Sequence, residues 1–270
     1  MKVILKMRAR DKILQNKTYI KNIIHQAKQI HSIPKRVDFL QNKFAGMECY
    51  ILGCGPSLNS VDKSLLLEET RDKCLITIKQ SYLLFTENVD FQVFNTNNFV
   101  TYPYHNDTFF WGSLDGRNIE STLQQIWKGQ KLDAFSTVHF SEPLIKRQEK
   151  ENLNLDDFTL SKDYYNRNWG CGIMFEVVLF LAFHLGFSNI KTVGWDYMPK
   201  GTQRQIAHFY PEIDRSSLVN PAGLPLHEEN DQSIRLSSVF HKWFKEKDIN
   251  LMAFDSKQCY LPSTIERFKF

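Results

Sequence analysis

A glycine-rich stretch follows the first apolar run of the chain and is the first candidate for chemistry. It reads Gly53-Cys54-Gly55-Pro56-Ser57. Glycine accepts positive φ and lets a ligand approach the main chain, and free N–H groups in such a turn attract phosphate. Pro56 fixes φ, and Ser57 can cap a helix that follows. The spacing matches neither the dinucleotide fingerprint nor the Walker loop, so the turn indicates either a phosphate cradle or an ordinary tight connection.

Polar residues stand at the same relative position after other predicted strands. Lys79 can meet a phosphate or a carboxylate, and Asn95 can hydrogen-bond a ribose or a base edge. Asp196 can hold a ribose hydroxyl or a base amino group. Ligands of open α/β sheets bind at the carboxyl ends of the strands, so these side chains predict a site at one edge of a sheet. Each of them can instead end a strand, form a turn or lie in solvent.

Apolar runs alternate with helical patterns along the body of the chain. Helical spacing predicts one helix over 171–186 and another over 231–248. Nearly continuous apolar runs predict strands at 48–53, 74–79, 90–95, 135–140, 190–196 and 249–255. Such strands, separated by helices, indicate a Rossmann-like α/β fold with a mostly parallel sheet covered on both faces. Residues 98–133 are expected to be irregular, and the proline-rich residues 198–230 to form a lid-like insertion.

The positive charge is concentrated at the start of the chain. Residues 1–43 hold eleven Lys or Arg and two Asp, so they carry +9 and the remainder −5, against +4 for the whole chain. Apolar residues at helical spacing over 11–33, before Pro34, predict a helix that packs on the body or lies on an anionic membrane surface. We therefore expect a basic helical extension, 1–43, in front of one Rossmann-like domain, 44–270.

The cysteine pattern and the apolar stretches bear on the compartment. Five cysteines, without a C-x-x-C pair, indicate reduced thiols in a cytoplasmic protein and no zinc site. The first residues are broken by charge and do not predict a signal peptide. The longest apolar stretch contains Glu176 and His184, which favours a buried helix over a membrane span. The modest net charge does not indicate nucleic-acid binding.

Five features, in this order along the chain, resemble the bacterial sialyltransferases of glycosyltransferase family 42. They are Gly53-x-Gly-Pro-Ser-Leu after the first strand, Phe94-Asn95 after the third, Gly172 at the start of the long helix, Gly194-x-Asp196-Tyr197, and His227 followed by Asn230-Asp231. The likeness covers residues 48–255 in patches. The same opening motif appears in the related MptE-like proteins, which include archaeal 6-hydroxymethylpterin diphosphokinases.

The resemblance implies a cytosolic, inverting, metal-independent transferase that moves a sialic acid-like sugar from a CMP donor to a glycan acceptor. It implies that the first turn and Asn95 hold the nucleotide, and that residues 198–226 close over the donor. His227 would be the general base. The turn that would bind cytidine and its ribose consists of Gly194, Trp195, Asp196 and Tyr197. The resemblance also suggests a homo-oligomer, a dimer or a tetramer.

The chain departs from the family pattern at three places within the implied donor site. Cys54 stands where the family has Asn, and Lys79 stands where it has another Asn. The family's Thr-Ser-Gly before the long helix is Gly170-Cys171-Gly172 here. These differences concern the identity of the sugar donor more than the handling of the nucleotide.

A glycosyl transfer needs a base for the acceptor hydroxyl and compensation for the leaving phosphate. Histidine suits the first task, and His208 is the alternative to His227. No Asp-x-Asp follows a predicted strand, so we expect no metal and no cofactor beyond the donor. Compensation is then expected from Lys79, Arg167, Arg204 or Tyr210, although Arg167 can instead be a surface residue.

Two other functions fit the same residues. An MptE-like diphosphokinase would transfer pyrophosphate from ATP and would need Mg²⁺. A non-catalytic nucleotide-binding or scaffold domain would use the basic extension to dock on a partner. A transferase with this extension could instead work as a peripheral enzyme beside the anionic inner membrane.

Overall fold

The computed structural model describes residues 2–95, 101–116, 129–139, 144, 154–197, 226–257 and 259–270. For residues 2–15 and 226–229 it describes the backbone alone. The predicted lid, 198–230, therefore lies outside the described residues except where its end joins a helix.

Nine strands form one sheet. In chain order they are β1 (Glu48–Leu52), β2 (Cys74–Ile78), β3 (Phe91–Asn95), β4 (Phe109–Asp115), β5 (Ala134–His139), β6 (Asn166–Asn168), β7 (Asn189–Val193), β8 (Asn250–Phe254) and β9 (Glu266–Phe268). The spatial order is β6-β5-β4-β3-β2-β1-β7-β8-β9, and every neighbouring pair is parallel. The predicted Rossmann-like α/β fold with a parallel sheet is confirmed.

The sequence patterns miss three of these strands. β4 lies inside residues 98–133, which are expected to be irregular, and that expectation is wrong for β4. The strand forms because Phe109, Phe110 and Trp111 are fully buried between neighbouring strands. β6 and β9 have three residues each, too few to show a periodicity.

The strand order reverses direction between β1 and β7. From β1 the chain builds outward through β2, β3, β4 and β5 to β6, and then returns to form β7 on the other side of β1. Such a reversal is a topological switch point, and open α/β sheets bind ligands outside the carboxyl ends of the strands there. The turns that follow β1 and β7 are therefore the first candidates for a ligand-binding site.

Helices cover both faces of the sheet, as predicted. The described α-helices are α1 (Lys2–Gln29), α2 (Ile33–Leu40), α3 (Lys63–Glu69), α4 (Leu179–Leu185) and α5 (Leu226–Glu246). α3 contributes to the smaller apolar cluster, with Tyr50 and Leu52 of β1, and the other four helices contribute to the larger one, with Cys49 and Ile51. Within the described ranges, no helix is long and apolar enough to cross a bilayer.

Helix boundaries differ from the sequence prediction at the long apolar helix, at α1 and at α5, which begins at Leu226 and not at 231. The long apolar helix begins with a π-helical turn, Met174–Val178, before α4, and Gly186 ends α4 with φ of 89°. α1 ends at Gln29, before Pro34. Pro34 lies in the first turn of α2, where its missing N–H costs nothing, so it starts a second helix instead of ending the first.

Lysines of α1 pair with acidic residues at the amino ends of three strands. The pairs are Lys17–Asp90 at 2.5 Å, Lys21–Asp107 at 2.9 Å and Lys28–Asp133 at 3.2 Å, between nitrogen and oxygen. The three aspartates precede β3, β4 and β5 in turn. Because residues four and seven apart lie on one side of a helix, α1 crosses these strands along their amino edge.

The basic extension is therefore partly internal to the fold. Ile20, Ile24 and Ala27 of α1 are fully buried in the same apolar cluster as the central strands. The alternative in which the helix packs on the body is confirmed for this part of α1. Ion pairs of Lys17, Lys21 and Lys28 thus account for part of the contrast between a basic start and an acidic body.

Loss of the Lys17 ammonium is expected to destabilise the protein more than loss of the Lys21 ammonium. The Asp90 side chain is 1% exposed, whereas that of Asp107 is 46% exposed. Lys17→Met leaves a buried carboxylate without its cation and should cost about 3–5 kcal/mol of unfolding free energy. Lys21→Met should cost less than about 1 kcal/mol. Urea denaturation measures both, and equal losses would contradict the importance of the buried pair.

His184 is expected to make stability depend on pH. Its Nε2 lies 2.8 Å from the Val37 carbonyl oxygen, and burial lowers the pKa of the ring. The unfolded chain takes up a proton near pH 6.5 that the folded protein resists, so stability should fall as pH falls from about 7 to 5. His184→Gln keeps a donor without titrating, and its stability should fall less over this range. The exposed His31→Gln should keep the wild-type profile in urea denaturation, and identical profiles for all three proteins would exclude His184 as the cause.

Candidate functional site

Two glycine turns meet at the switch point. They are residues 53–57 after β1 and residues 194–197 after β7. Gly53 N donates to Val193 O at 2.7 Å, and Gly55 N donates to Gly194 O at 2.8 Å. The structure thus brings together two of the predicted site segments by direct main-chain contact.

The contact is close enough to require glycine. A β-carbon on either Gly53 or Gly55 would overlap the Gly194 carbonyl oxygen. Gly194 itself has φ of 71°, a backbone conformation that residues with a β-carbon rarely adopt. The glycines therefore serve the packing of one turn against the other.

Three main-chain donors of the first turn, those of Gly53, Gly55 and Ser57, already have protein acceptors. Ser57 N donates to Asp196 Oδ2 at 2.7 Å, in addition to the bonds from Gly53 and Gly55. The prediction that these N–H groups are free to bind phosphate is therefore wrong for all three residues. A carboxylate of the second turn takes the position that an anion would need at Ser57.

Ser57 does not cap a helix, contrary to the prediction. Its hydroxyl accepts a hydrogen bond from Gly194 N at 3.1 Å, across the switch point. Pro56 begins a short 3₁₀ helix, Pro56–Ser60, that lacks a side-chain cap. The cap of α3 is instead Asp62, which accepts from Ser64 N.

Asp196 sets the electrostatics of this corner. Burial raises the pKa of its carboxyl group, although the N–H and hydroxyl of Ser57 favour the charged form. A carboxylate attracts hydrogen-bond donors such as ribose hydroxyls or a base amino group, and it opposes a phosphate at the same place. The corner is therefore suited to the nucleoside end of a nucleotide.

The rest of the second turn joins it to the long helix. Trp195 is buried, and its Nε1 donates to the Tyr197 hydroxyl at 2.8 Å. The Trp195 ring also contacts Phe175 of the π-helical turn, with ring centroids 5.8 Å apart. Trp195 thus connects the second turn to the π-helical turn that precedes α4.

The end of β2 lies directly against the first turn. Cys54 is buried, and its Sγ donates to Ile78 O at 3.0 Å. Lys79, the next residue, has φ of 51° and its carbonyl accepts a 2.9 Å hydrogen bond from Gln92 Nε2. The predicted site residues Cys54 and Lys79 are therefore neighbours of the switch point.

Asn95 ends β3 with an unused acceptor. Its Oδ1 is buried and has no hydrogen-bond partner within the part of the chain that the structure describes. A buried acceptor without a donor costs about 1–3 kcal/mol, so a ligand hydroxyl or amino group at this point would be favoured. The geometry is compatible with the predicted contact between Asn95 and a nucleotide.

A third turn, residues 170–172, lies before the π-helical turn. Cys171 has φ of 60° and Gly172 has φ of 130°. A β-carbon on Gly170 would lie 2.9 Å from the Phe175 side chain. The Cys171 Sγ donates to Gln232 Oε1 of α5 at 3.3 Å, which ties this turn to α5. Left-handed backbone and π-helical turns are both frequent at functional sites.

Arg167 has a structural environment. It is 3% exposed, and its Nε and Nη1 donate to the carbonyls of Glu176 and Asp163. Burial lowers the pKa of its guanidinium to about 10, and the group stacks over Phe180. Main-chain carbonyls hold Arg167 inside the protein, which corrects both the prediction that it points toward a ligand and the surface alternative.

His227 lies in the first turn of α5 by its backbone, which corrects its predicted position in the insertion before that helix. Tyr210 and the alternatives His208 and Arg204 lie outside the described residues. Their predicted roles stay predictions. Where side chains are described, no group of three or more His, Cys, Asp or Glu could hold a metal ion.

Two glutamines at the site are missed by sequence reasoning. Gln92 is fully buried within β3 and holds the Lys79 carbonyl, and Gln232 contacts Cys171. A polar residue inside the apolar run Phe91-Gln92-Val93-Phe94 is a signal that could have found Gln92. Gln232 carries no such signal, because it stands among other polar residues near the start of α5.

A scan against protein-family models finds no match to the chain, and a search of curated proteins finds no significant match.

Replacing Gly53 by alanine is expected to separate the two turns. The added methyl group meets main-chain atoms of Gly194, so Gly53→Ala should cost about 3 kcal/mol of unfolding free energy. Gly46→Ala is the control, since a β-carbon there meets nothing within 4 Å and only φ of +76° is strained. It should cost about 1–2 kcal/mol. A Gly53→Ala protein as stable as the wild type in urea denaturation would contradict the close contact.

Proposed function

We propose that the chain is an inverting glycosyltransferase that moves a sialic acid-like sugar from a CMP donor to a glycan acceptor without a metal ion. One observation carries the proposal: segments far apart in sequence meet at the carboxyl edge of the sheet. The contacts are Gly55 N to Gly194 O, Phe175 to Trp195, and Cys171 Sγ to Gln232 Oε1. These segments carry the resemblance, and they meet where such sheets bind nucleotides.

Charge fixes the direction in which the donor binds. The cytidine and ribose lie near Asp196, whose carboxylate accepts from hydroxyl and amino groups. The phosphate lies away from that carboxylate, toward the ends of β2 and β3. Asn95 is available there to hold the nucleotide, since its Oδ1 can accept from a hydroxyl or amino group and has no partner among the described residues.

His227 is the general base of the proposed reaction. It precedes Gln232 by five residues on α5, or about 7.5 Å along the helix axis, and Gln232 touches the turn at Cys171. The base takes the proton of the acceptor hydroxyl, whose oxygen bonds to the anomeric carbon. The bond from that carbon to the phosphate oxygen breaks, and CMP leaves with the electron pair. Tyr210 assists the leaving phosphate by donating from its hydroxyl.

The enzyme works in the cytoplasm, as a homo-oligomer, and associates with the anionic inner membrane through the start of α1. This part of the proposal is supported by the basic residues Lys2, Lys6, Arg8, Arg10 and Lys12. Lys17, Lys21 and Lys28 form ion pairs with the rest of the chain and do not contribute to membrane binding.

Replacing His227 tests the mechanism. His227→Ala should lower turnover of CMP-sialic acid by about 10²- to 10⁴-fold, because the acceptor proton loses its base. The affinity for CMP, measured by calorimetry, should stay unchanged. His241→Gln on the same helix is the matched control and should turn over like the wild type. Full activity of His227→Ala would show that the base is another residue.

Nucleotide choice tests the class of enzyme. CMP should raise the melting temperature, and hydrolysis of CMP-sialic acid without acceptor should persist in EDTA. Stabilisation by ATP with Mg²⁺ and not by CMP would favour the diphosphokinase alternative. The absence of a shift with any nucleotide would favour a non-catalytic scaffold domain.

A further inference from the structure

We propose that Lys79 supplies the positive charge that binds the donor's phosphate, in place of the main-chain N–H groups of Gly53, Gly55 and Ser57. The inference rests on the proposed function for the identity of the nucleotide. It assigns the anion to the end of β2, one strand away from the glycine turn.

The N–H groups of the glycine turn that have protein acceptors are not available to bind the donor's phosphate. Its N–H groups at Gly53, Gly55 and Ser57 donate to Val193, Gly194 and Asp196 respectively. The Asp196 carboxylate adds a negative charge at the same place. A phosphate near the switch point therefore needs a cation outside this turn.

Lys79 is a cation without a partner in the described protein. Its ammonium makes no hydrogen bond or ion pair with any described residue. Lys17, Lys21 and Lys28 at the opposite edge of the sheet all have acidic partners. Lys79 is only partly exposed and follows Ile78, whose carbonyl contacts Cys54 of the turn.

The main chain at Lys79 is held in a conformation that lysine does not favour. Its φ of 51° is left-handed, which glycine or asparagine adopts at lower cost. Buried side chains fix this conformation. Thr77 Oγ1 donates to Gln92 Oε1 at 2.6 Å, and Gln92 Nε2 donates to Lys79 O at 2.9 Å. Ser81 Oγ accepts from Ile78 N at 3.0 Å just before it.

Strain held in place by dedicated buried contacts is characteristic of functional residues. Here a lysine occupies the strained position although glycine would adopt the same backbone conformation at lower cost. An ammonium group binds phosphate as a point charge through three donors, which an asparagine amide cannot match in charge. The positive charge of Lys79 therefore explains why a lysine stands at this position.

Two substitutions separate charge from backbone conformation. Lys79→Gly should raise the melting temperature by about 2 °C, because glycine relieves the strain. It should weaken CMP binding by about 10- to 100-fold, because a charged hydrogen bond is lost. Cytidine, which lacks the phosphate, should bind wild type and variant equally. Lys79→Arg should restore most of the CMP affinity.

The matched control is Asp248→Gly, at another left-handed residue that is exposed and has φ of 57°. It should gain similar stability and leave CMP binding unchanged. Calorimetry with CMP, cytidine and inorganic pyrophosphate gives the affinities. Equal CMP affinity in wild type and Lys79→Gly would overturn the assignment of Lys79 while leaving the proposed function intact.

Binding of inorganic pyrophosphate can support the role of Lys79 even if the proposed glycosyltransferase function is wrong. If the wild type binds pyrophosphate through Lys79 but shows no affinity for CMP, the role of Lys79 stands and the proposed function falls. If the wild type binds neither CMP nor pyrophosphate at millimolar concentration, both fall. A lower melting temperature for Lys79→Gly would show that Lys79 has a structural role instead.

Discussion

The main-chain contact between Gly53 and Gly194 is the constraint on which the candidate site depends. The turns after β1 and β7 can approach this closely because neither glycine carries a side chain. In this arrangement the N–H groups of Gly53, Gly55 and Ser57, which a phosphate would otherwise bind, donate to protein acceptors, and Asp196 lies against Ser57. The switch point therefore presents a closed, acidic corner, and the functional groups around it have to be supplied by neighbouring strands.

The amino edge beside α1 and the carboxyl ends of β2 and β3 differ in how their polar groups are paired. At the amino edge, the acidic residues before β3, β4 and β5 are matched by lysines of α1, so charge there serves cohesion. At the carboxyl edge, Lys79 has no partner among the described residues and Asn95 Oδ1 has no donor among them. Groups left unmatched within a protein are the ones available to a ligand, because binding them recovers an interaction that folding did not make.

Two of the four described non-glycine residues with positive φ lie at the same edge. Lys79 and Cys171 both have positive φ, and a π-helical turn follows the second of them. Each such feature costs stability unless surrounding contacts hold it, and Gln92 and Gln232 contact these two turns. The apolar strands and α1, which make up the larger core, supply the stability that lets this edge be strained and incompletely bonded.

The sequence by itself determined the parallel α/β architecture, because buried strands such as Cys74–Ile78 are apolar along their whole length. It also determined that the residues after these strands share one edge. Only the tertiary structure decided what the glycine turn does, since its donors are satisfied by residues 193–196, far along the chain. Likewise the burial of Arg167 and the strand at Phe109–Asp115 depend on neighbours that no local pattern of residues reveals. Local propensity is encoded in adjacent residues, whereas the partner of a polar group is fixed only when distant segments pack together.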